Sequence, residues 1–207
     1  IYTGKAVIIA SGTVERMLGI PGEAENVGRG VSYCAVCDGA FFRDQEVAVI
    51  GGGNSALEEA LYLTQFAKKV TIVIRRDVFR AEAHVQQQVE QNERITIIRR
   101  HVPKQILDDG NRVIGLVIED VESKETTTLT VAGVFPYVGA DPAVSFLNGL
   151  DICDERGYLL VDEHNETKIK GIYGVGDVVA KPLRQVVTAA GDGANAAQHA
   201  FHAIKGI

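Results

Sequence analysis

Three cysteines in 207 residues are too few to staple a small fold, which excludes a disulfide scaffold. No apolar run approaches the roughly 20 residues that span a bilayer, and the opening residues lack a charged-then-apolar signal pattern. Excess basic charge is lacking too. Lys and Arg number 21 against 27 Asp and Glu, a formal net charge of −6, which argues against a nucleic-acid partner. What is present is ordinary for a globular chain, 46% hydrophobic and 23% charged residues, so disorder is not expected. The length allows one large domain or two small ones. The expected setting is the cytoplasm, where a close cysteine pair is usually catalytic or metal-binding.

The clearest local signal is EVAVI (46–50), an apolar, β-branched run of the kind that forms a parallel strand buried on both faces. It runs into Gly51-Gly52-Gly53-Asn54-Ser55-Ala56 and then the amphipathic stretch LEEALYLTQFA. Strand, G-x-G-x-x-A and helix in that order form a dinucleotide-binding fingerprint. Gly51 permits the tight turn, Gly53 lets backbone approach a pyrophosphate, and Ala56 lets the helix lie close to the strand. The helix N-terminus offers unpaired N–H groups to the phosphates.

KKVTIVI (68–74) is the next buried run. An acid near its end would mark NAD, by holding the ribose 2′-hydroxyl. The chain reads Arg75-Arg76-Asp77-Val78-Phe79-Arg80 there instead. Two adjacent guanidinium groups suit a 2′-phosphate, and Arg80, a turn further on, can close the clamp. NADPH is therefore the expected nucleotide. Asp77 leaves an NAD reading available, and a solvated basic patch is the plain structural alternative.

Residues 81–92 read as a second helix and 94–100 as a third strand. Strand-like runs near 103–107, 112–119 and 126–131 follow, separated by the turn signals DDGN and VESKE. The expectation is a three-stranded parallel core carrying a β-meander, ending near Val138.

Cys34 and Cys37 precede this unit in SYCAVCDGAFF. A structural zinc site needs four ligands, and only Cys153 and the scattered His84, His101, His164, His199 and His202 remain to supply them. Those histidines read as surface or core groups, and Cys153 as a small core residue. Coincidental structural thiols are the stronger alternative, since free cysteine is often buried. Asp38, directly after Cys37, favours redox chemistry, because a carboxyl group beside C-x-x-C can handle the proton that thiol–disulfide exchange must move.

CAVCDG (34–39), VAVIGGGNSALEEALYL (47–63) and IRRDVFRAEA (74–83) together resemble the pyridine-nucleotide domain of the low-molecular-weight bacterial thioredoxin reductases. GIYGVGDV (171–178), RQVVTAAGDGANAA (184–197) and the Ala-rich end resemble that family's C-terminal FAD-binding segment, and KAVIIASG (5–12) with GIPGE (19–23) the stretch before its nucleotide domain. The resemblance implies an α/β chain. A Rossmann-like NADPH domain at 21–138 would be flanked by parts of an FAD domain at 1–20 and 139–207. Cys34 and Cys37 would form the redox-active disulfide, with Asp38 as its acid, Cys37 nearer the flavin and Cys34 more available to the protein substrate. Gly51, Gly53, Asn54, Ser55, Ala56 and Glu58 would lie along the NADPH diphosphate and ribose, and Arg75, Arg76 and Arg80 at the 2′-phosphate. Asp177, between Gly176 and Val178, would hold the FAD ribityl chain. Arg184, Gln185 and Val186 would lie against the flavin at a helix start.

Three departures accompany the resemblance. Ile74 stands where the family usually has His, GVGDV replaces AAGDV, and ASG replaces ATG. The family's opening segment, which carries a first G-x-G-x-x-G, has no counterpart in these residues. The chain is accordingly expected to be a fragment that holds FAD weakly or not at all and exposes apolar surface. The intact parent would pass electrons from NADPH through FAD to the disulfide and then to a thioredoxin-like protein, as a homodimer. Its nucleotide domain would rotate on hinges near Gly28–Gly30 and Gly139. Two other readings stand beside this one, a fragment of an alkyl hydroperoxide reductase flavoprotein and a non-catalytic NADPH-binding module. The paired arginines speak against the first.

Overall fold

Only Val7–Ile9 (β1) of the first apolar run enters a ladder, and Thr13–Glu15 (β2) follows it. The computed structural model describes residues 3–147 and 149–207. Ile1 and Tyr2, within the segment expected at 1–20, and Asn148 lie outside the described residues. KAVIIASG (5–12) reads as a buried strand running into a turn, and this expectation is corrected. Val7 and Ile8 are 54% and 42% exposed and Ile9 alone is covered, because β1 belongs to a two-stranded sheet that cannot bury both faces.

The chain passes between two compact units at residues 15/16 and 139/140. Residues 16–139 hold α1 (Ala35–Asp38), β3 (Glu46–Ile50), α2 (Asn54–Leu63), β4 (Lys69–Val73), α3 (Ala83–Glu90) and β5 (Ile95–Ile98). An antiparallel meander follows, β6 (His101–Asp108), β7 (Val113–Asp120) and β8 (Thr126–Leu129), and then β9 (Gly133–Pro136). The main sheet is parallel, in the order β5-β4-β3-β9, with Val70 of β4 opposite Val47 of β3 and Ile95 of β5. This is a Rossmann-like sheet with a meander on one face.

The expected three-stranded core therefore has a fourth strand. GVFP lies between the last strand-like run and the expected end near Val138, bounded by Gly and Pro, yet all four of its residues are buried. Pro136 is tolerated because it closes an edge strand.

Alternation along β3 shows why its run is apolar. Val47 and Val49 pack with Leu57, Ala60 and Leu63 of α2, whereas Ala48 and Ile50 pack with Ile106, Leu116 and Ile118 of the meander. From Val47 onward both faces are dry, so none of those four positions is polar. Phe135 sits fully buried on the helix side, edge-on to Phe42 with ring centroids 5.2 Å apart. Phe42 closes the turn after the cysteines and also lies against Gly133, where an added Cβ would come within 2.5 Å of its ring. Phe135→Ala should cost about 3–5 kcal/mol of stability. Denaturant unfolding checks this, and a loss under 1 kcal/mol would mean the turn is not anchored through this pair.

The expected hinge at Gly28–Gly30 is also corrected. Gly30 has φ 129°, a Cβ there would lie 2.6 Å from Val113, and its carbonyl accepts from Val134 N–H at 2.8 Å. It is packed inside its unit. The crossing lies instead at Arg16, whose N–H donates to the Gly139 carbonyl at 2.9 Å.

The other unit joins residues 1–15 to 140–207. In it β10 (Ala140–Pro142) pairs antiparallel with β2, and β11 (Ile172–Gly174) pairs parallel with β1. The long helix α4 (Val186–Lys205) sets Ala196 and Ala200 against Tyr173 and Val175. Apolar side chains on α4 stay uncovered, Val186 at 85% and Val187 at 74% exposure. Cys153 is half-buried beside this unit's core, and burial pushes its thiol up.

Candidate active site

The glycine turn after β3 is built by close contacts. Gly51 has φ 144°, and a Cβ there would lie 2.4 Å from the Tyr137 carbonyl oxygen and 3.0 Å from Ala56. Only glycine fits. Gly53 differs in kind, since its backbone is extended (φ −95°) and an added Cβ would meet nothing within 4 Å. It caps α2 with no side-chain hydrogen bond, so the first N–H groups of that helix face open space. Such an end receives phosphate well. Arg80 N–H ties the following segment to this turn by donating to the Gly52 carbonyl at 2.7 Å.

A cavity of about 430 Å³ opens at the carboxyl ends of β3 and β4, the place where open α/β sheets bind ligands. Its floor includes Ile50, Val73 and Ile74, and Arg75, Arg76 and Arg80 reach its rim. All three arginines are exposed. His101 of β6 lines the same cavity, with Nδ1 2.7 Å from the Arg99 carbonyl oxygen. Reading it as a plain surface or core histidine missed this, because it is brought there by the hydrogen bond from its backbone N–H to the Ile74 carbonyl at 3.1 Å, a contact 27 positions away in sequence. Not every expected residue faces the opening. Asn54 is engaged with Glu82, accepting its N–H at 2.8 Å and donating to its carboxylate at 3.1 Å. Ser55 and Glu58 are exposed on the first turns of α2, and Ala56 is buried against the sheet.

Cys34 and Cys37 are joined in a disulfide around the single turn of α1. Cys34 is the N-cap, and its sulfur accepts the Cys37 N–H at 3.1 Å. Cys37 is exposed and Cys34 half-buried. Within this unit Cys37 is thus the more exposed of the pair, the reverse of the order the resemblance implies. Asp38 closes the same turn, with its N–H on the Cys34 carbonyl at 3.1 Å.

Three residues that sequence reasoning passed over brace the cysteine turn or the loop beside the cavity. Tyr137 accepts the Ala35 N–H on its hydroxyl oxygen at 2.8 Å, while its own N–H donates to Ile50 at 2.7 Å. It thus joins the cysteine turn to the glycine turn. Glu59, on α2, is partly buried, and burial with the neighbouring Glu58 charge pushes its carboxyl above the usual range. The Tyr137 hydroxyl and the Val36 amide oppose that push as hydrogen-bond donors. Glu23, fully buried, accepts from Leu18 N–H and Gly19 N–H at 2.8 Å each and from the Tyr33 hydroxyl at 3.0 Å. That fixes the loop beside the cavity.

In the other unit, Gly176–Val178 forms one 3-10 turn. Asp177 Oδ1 is buried there without a hydrogen-bond partner, a state that costs free energy unless a donor is supplied. Burial of Glu15, and after it the nearby Asp177 charge, push the Glu15 carboxyl up. Arg184 lies over the Tyr158 ring at 4.2 Å and donates to the carbonyls of Asp177 (3.1 Å) and Val179 (3.2 Å). Gln185 caps α4 in a reciprocal box with Thr188, which leaves Val186 as the first, exposed residue of the helix. The orphaned carboxylate oxygen fits a hydroxyl-bearing cofactor chain, and the open turn at Gly53 fits a diphosphate.

Comparison with known proteins agrees with this chemistry. The family model for pyridine nucleotide-disulphide oxidoreductases matches residues 1–193. A thioredoxin reductase of Bacillus subtilis (strain 168) is 45% identical over 204 residues, covering 99% of this chain and 65% of that protein. The crystal structure of thioredoxin reductase from Streptococcus pyogenes MGAS5005 superposes with a TM-score of 0.91 at 48% identity, over 98% of this chain and 66% of that one. For Lactococcus lactis thioredoxin reductase the TM-score is 0.74 at 50% identity, over 98% and 67%. The chain thus spans about two thirds of the length of these relatives. The chain belongs to the pyridine nucleotide-disulphide oxidoreductases.

Proposed function

We propose that this chain carries the NADPH-binding domain and part of the FAD-binding domain of a thioredoxin-disulfide reductase. The observation that carries the reading is one compact unit holding both the arginine-rimmed cavity and the Cys34–Cys37 disulfide. When bound, NADPH supplies a hydride and FAD relays its electrons, so that NADPH, a proton and the disulfide give NADP⁺ and the dithiol.

Arg75, Arg76 and Arg80 hold the 2′-phosphate, and the amides after Gly53 receive the diphosphate. Ser55 and Glu58 lie along the ribose side. Asp177 accepts from the ribityl chain through its orphaned oxygen, between Gly176 and Val178. Arg184, Gln185 and Val186 form the wall against the flavin. Asp38 moves the proton at the cysteine pair. The dithiol then reduces a thioredoxin-like protein by exchange through a mixed disulfide. We assign the parent protein to the cytoplasm, where thiols are kept reduced, and expect it to act as a homodimer.

Titration of the purified chain with NADPH and with NADH tests the reading. NADPH should bind at least tenfold more tightly. A preference for NADH would favour the peroxide-reductase reading, and binding of neither would remove the nucleotide assignment.

A further inference from the structure

His101 brings an imidazole to the wall of the arginine-rimmed cavity, and none of the roles assigned above uses it. It opens β6 and lines the cavity together with Val102 and Pro103. Backbone bonds fix this strand start to the arginine segment. His101 N–H donates to the Ile74 carbonyl at 3.1 Å, and Arg100 N–H to the Arg76 carbonyl at 3.4 Å. The ring is oriented as well. Its Nδ1 stands 2.7 Å from the Arg99 carbonyl oxygen, which has no proton to give, so Nδ1 carries the hydrogen. Asp120 Oδ2, 3.9 Å from the same nitrogen, favours that tautomer too. Nε2 is then left as an acceptor, on a half-buried ring at the cavity wall.

We propose that His101 recognises the base of the nucleotide: its Nε2 accepts an N–H of the adenine 6-amino group, with Val102 and Pro103 as the apolar wall beside the ring. The order of the strands puts the base there. The diphosphate lies over the turn that ends β3, and the 2′-phosphate at the arginines that follow β4. β5 is the neighbour of β4 on the side away from β3, and β6 starts at His101 just after β5 ends at Ile98. A nucleotide laid outward along that line brings its base to the β5–β6 connection, since the base is bonded to the ribose carbon next to the one bearing the phosphate. Adenine presents one exocyclic donor, its 6-amino group, so a neutral ring nitrogen within reach selects it. A phosphate demands the opposite. It offers only acceptors, so the guanidinium groups fit it and an unprotonated Nε2 does not. Hypoxanthine carries a carbonyl where adenine carries the amine, and two acceptors would then face each other.

The inference rests on the nucleotide reading proposed above, and the test separates the two. The full chain is titrated calorimetrically with NADPH, with NADH and with the hypoxanthine analogue of NADPH. Mildly alkaline buffer keeps a single proton on the imidazole. Wild type should bind NADPH about tenfold more tightly than the hypoxanthine analogue. In His101→Ala the two should bind within about twofold of each other, while the ratio of NADPH to NADH affinity stays as in wild type. His101→Gln, which offers an amide oxygen in place of Nε2, should keep a preference for adenine. Equal binding of the two bases by wild type, or an unchanged preference in His101→Ala, would overturn the inference and leave the nucleotide reading intact. A His101→Ala protein that loses its preference for NADPH over NADH but keeps its preference for adenine would put the imidazole at the 2′-phosphate, and overturn the inference equally. Wild type that binds none of the three nucleotides removes the nucleotide reading and the inference with it.

Discussion

Arg75→Ala and Arg76→Ala combined should weaken NADPH binding about a hundredfold and leave NADH binding within about threefold. A hydrogen bond to a charged group contributes roughly 1.5–3 kcal/mol, so two lost contacts span about 10² to 10⁴ in affinity. Both side chains are exposed at the cavity rim, where water screens the charge, so the lower end applies. Arg80 remains, its backbone fixed to the glycine turn through the Gly52 carbonyl, and keeps part of the clamp. Added salt should erode wild-type NADPH affinity more steeply than that of the double variant, because fewer phosphate charges are matched in the latter. Equal losses for both nucleotides would mean that the arginines act on the fold of the β4 turn and not on the 2′-phosphate. The clamp would then have to be abandoned.

The strand, glycine turn and helix could be read from residues 46–63 because every constraint on that segment is local. β3 is dry on both faces from Val47 onward, which forces an unbroken apolar run, and Gly51 sits where no side chain fits. The arginines were legible for the same reason, since they directly follow the next buried strand. β9 was not. Only Val134 and Phe135 of its four residues favour a strand, between Gly133 and Pro136, and it forms along the edge of β3 where two apolar clusters take its side chains.

The support of the cysteine turn was illegible too. Tyr137 stands 102 positions from the amide it holds, and no spacing rule links them. Asp177 could be singled out only by resemblance, whereas its orphaned oxygen is a property of the folded turn. Residues that touch a ligand tend to cluster in sequence at a turn. Residues that orient them are gathered by topology.

Gly51→Ala and Gly53→Ala should separate folding from binding at the same turn. Gly51→Ala places a methyl group 2.4 Å from the Tyr137 carbonyl oxygen, at a φ of 144° that alanine resists. Backbone strain of about 1–3 kcal/mol adds to an overpacking cost of about 1–3 kcal/mol, so the loss should be about 2–6 kcal/mol. The damage should also travel. Tyr137 cannot move its carbonyl without disturbing the hydroxyl that holds Ala35 N–H, so the Cys34–Cys37 disulfide should become easier to reduce as the turn loosens. At Gly53 the backbone is extended and the space is open, so alanine should change stability by under about 1 kcal/mol. The same methyl group stands where backbone must approach the diphosphate, and NADPH affinity should fall at least tenfold. Paired unfolding curves and NADPH titrations of the two variants decide the matter. Full NADPH affinity in Gly53→Ala would mean that the diphosphate does not lie over the α2 N-terminus. A Gly51→Ala protein as stable as wild type would show that Tyr137 does not lock the two turns together.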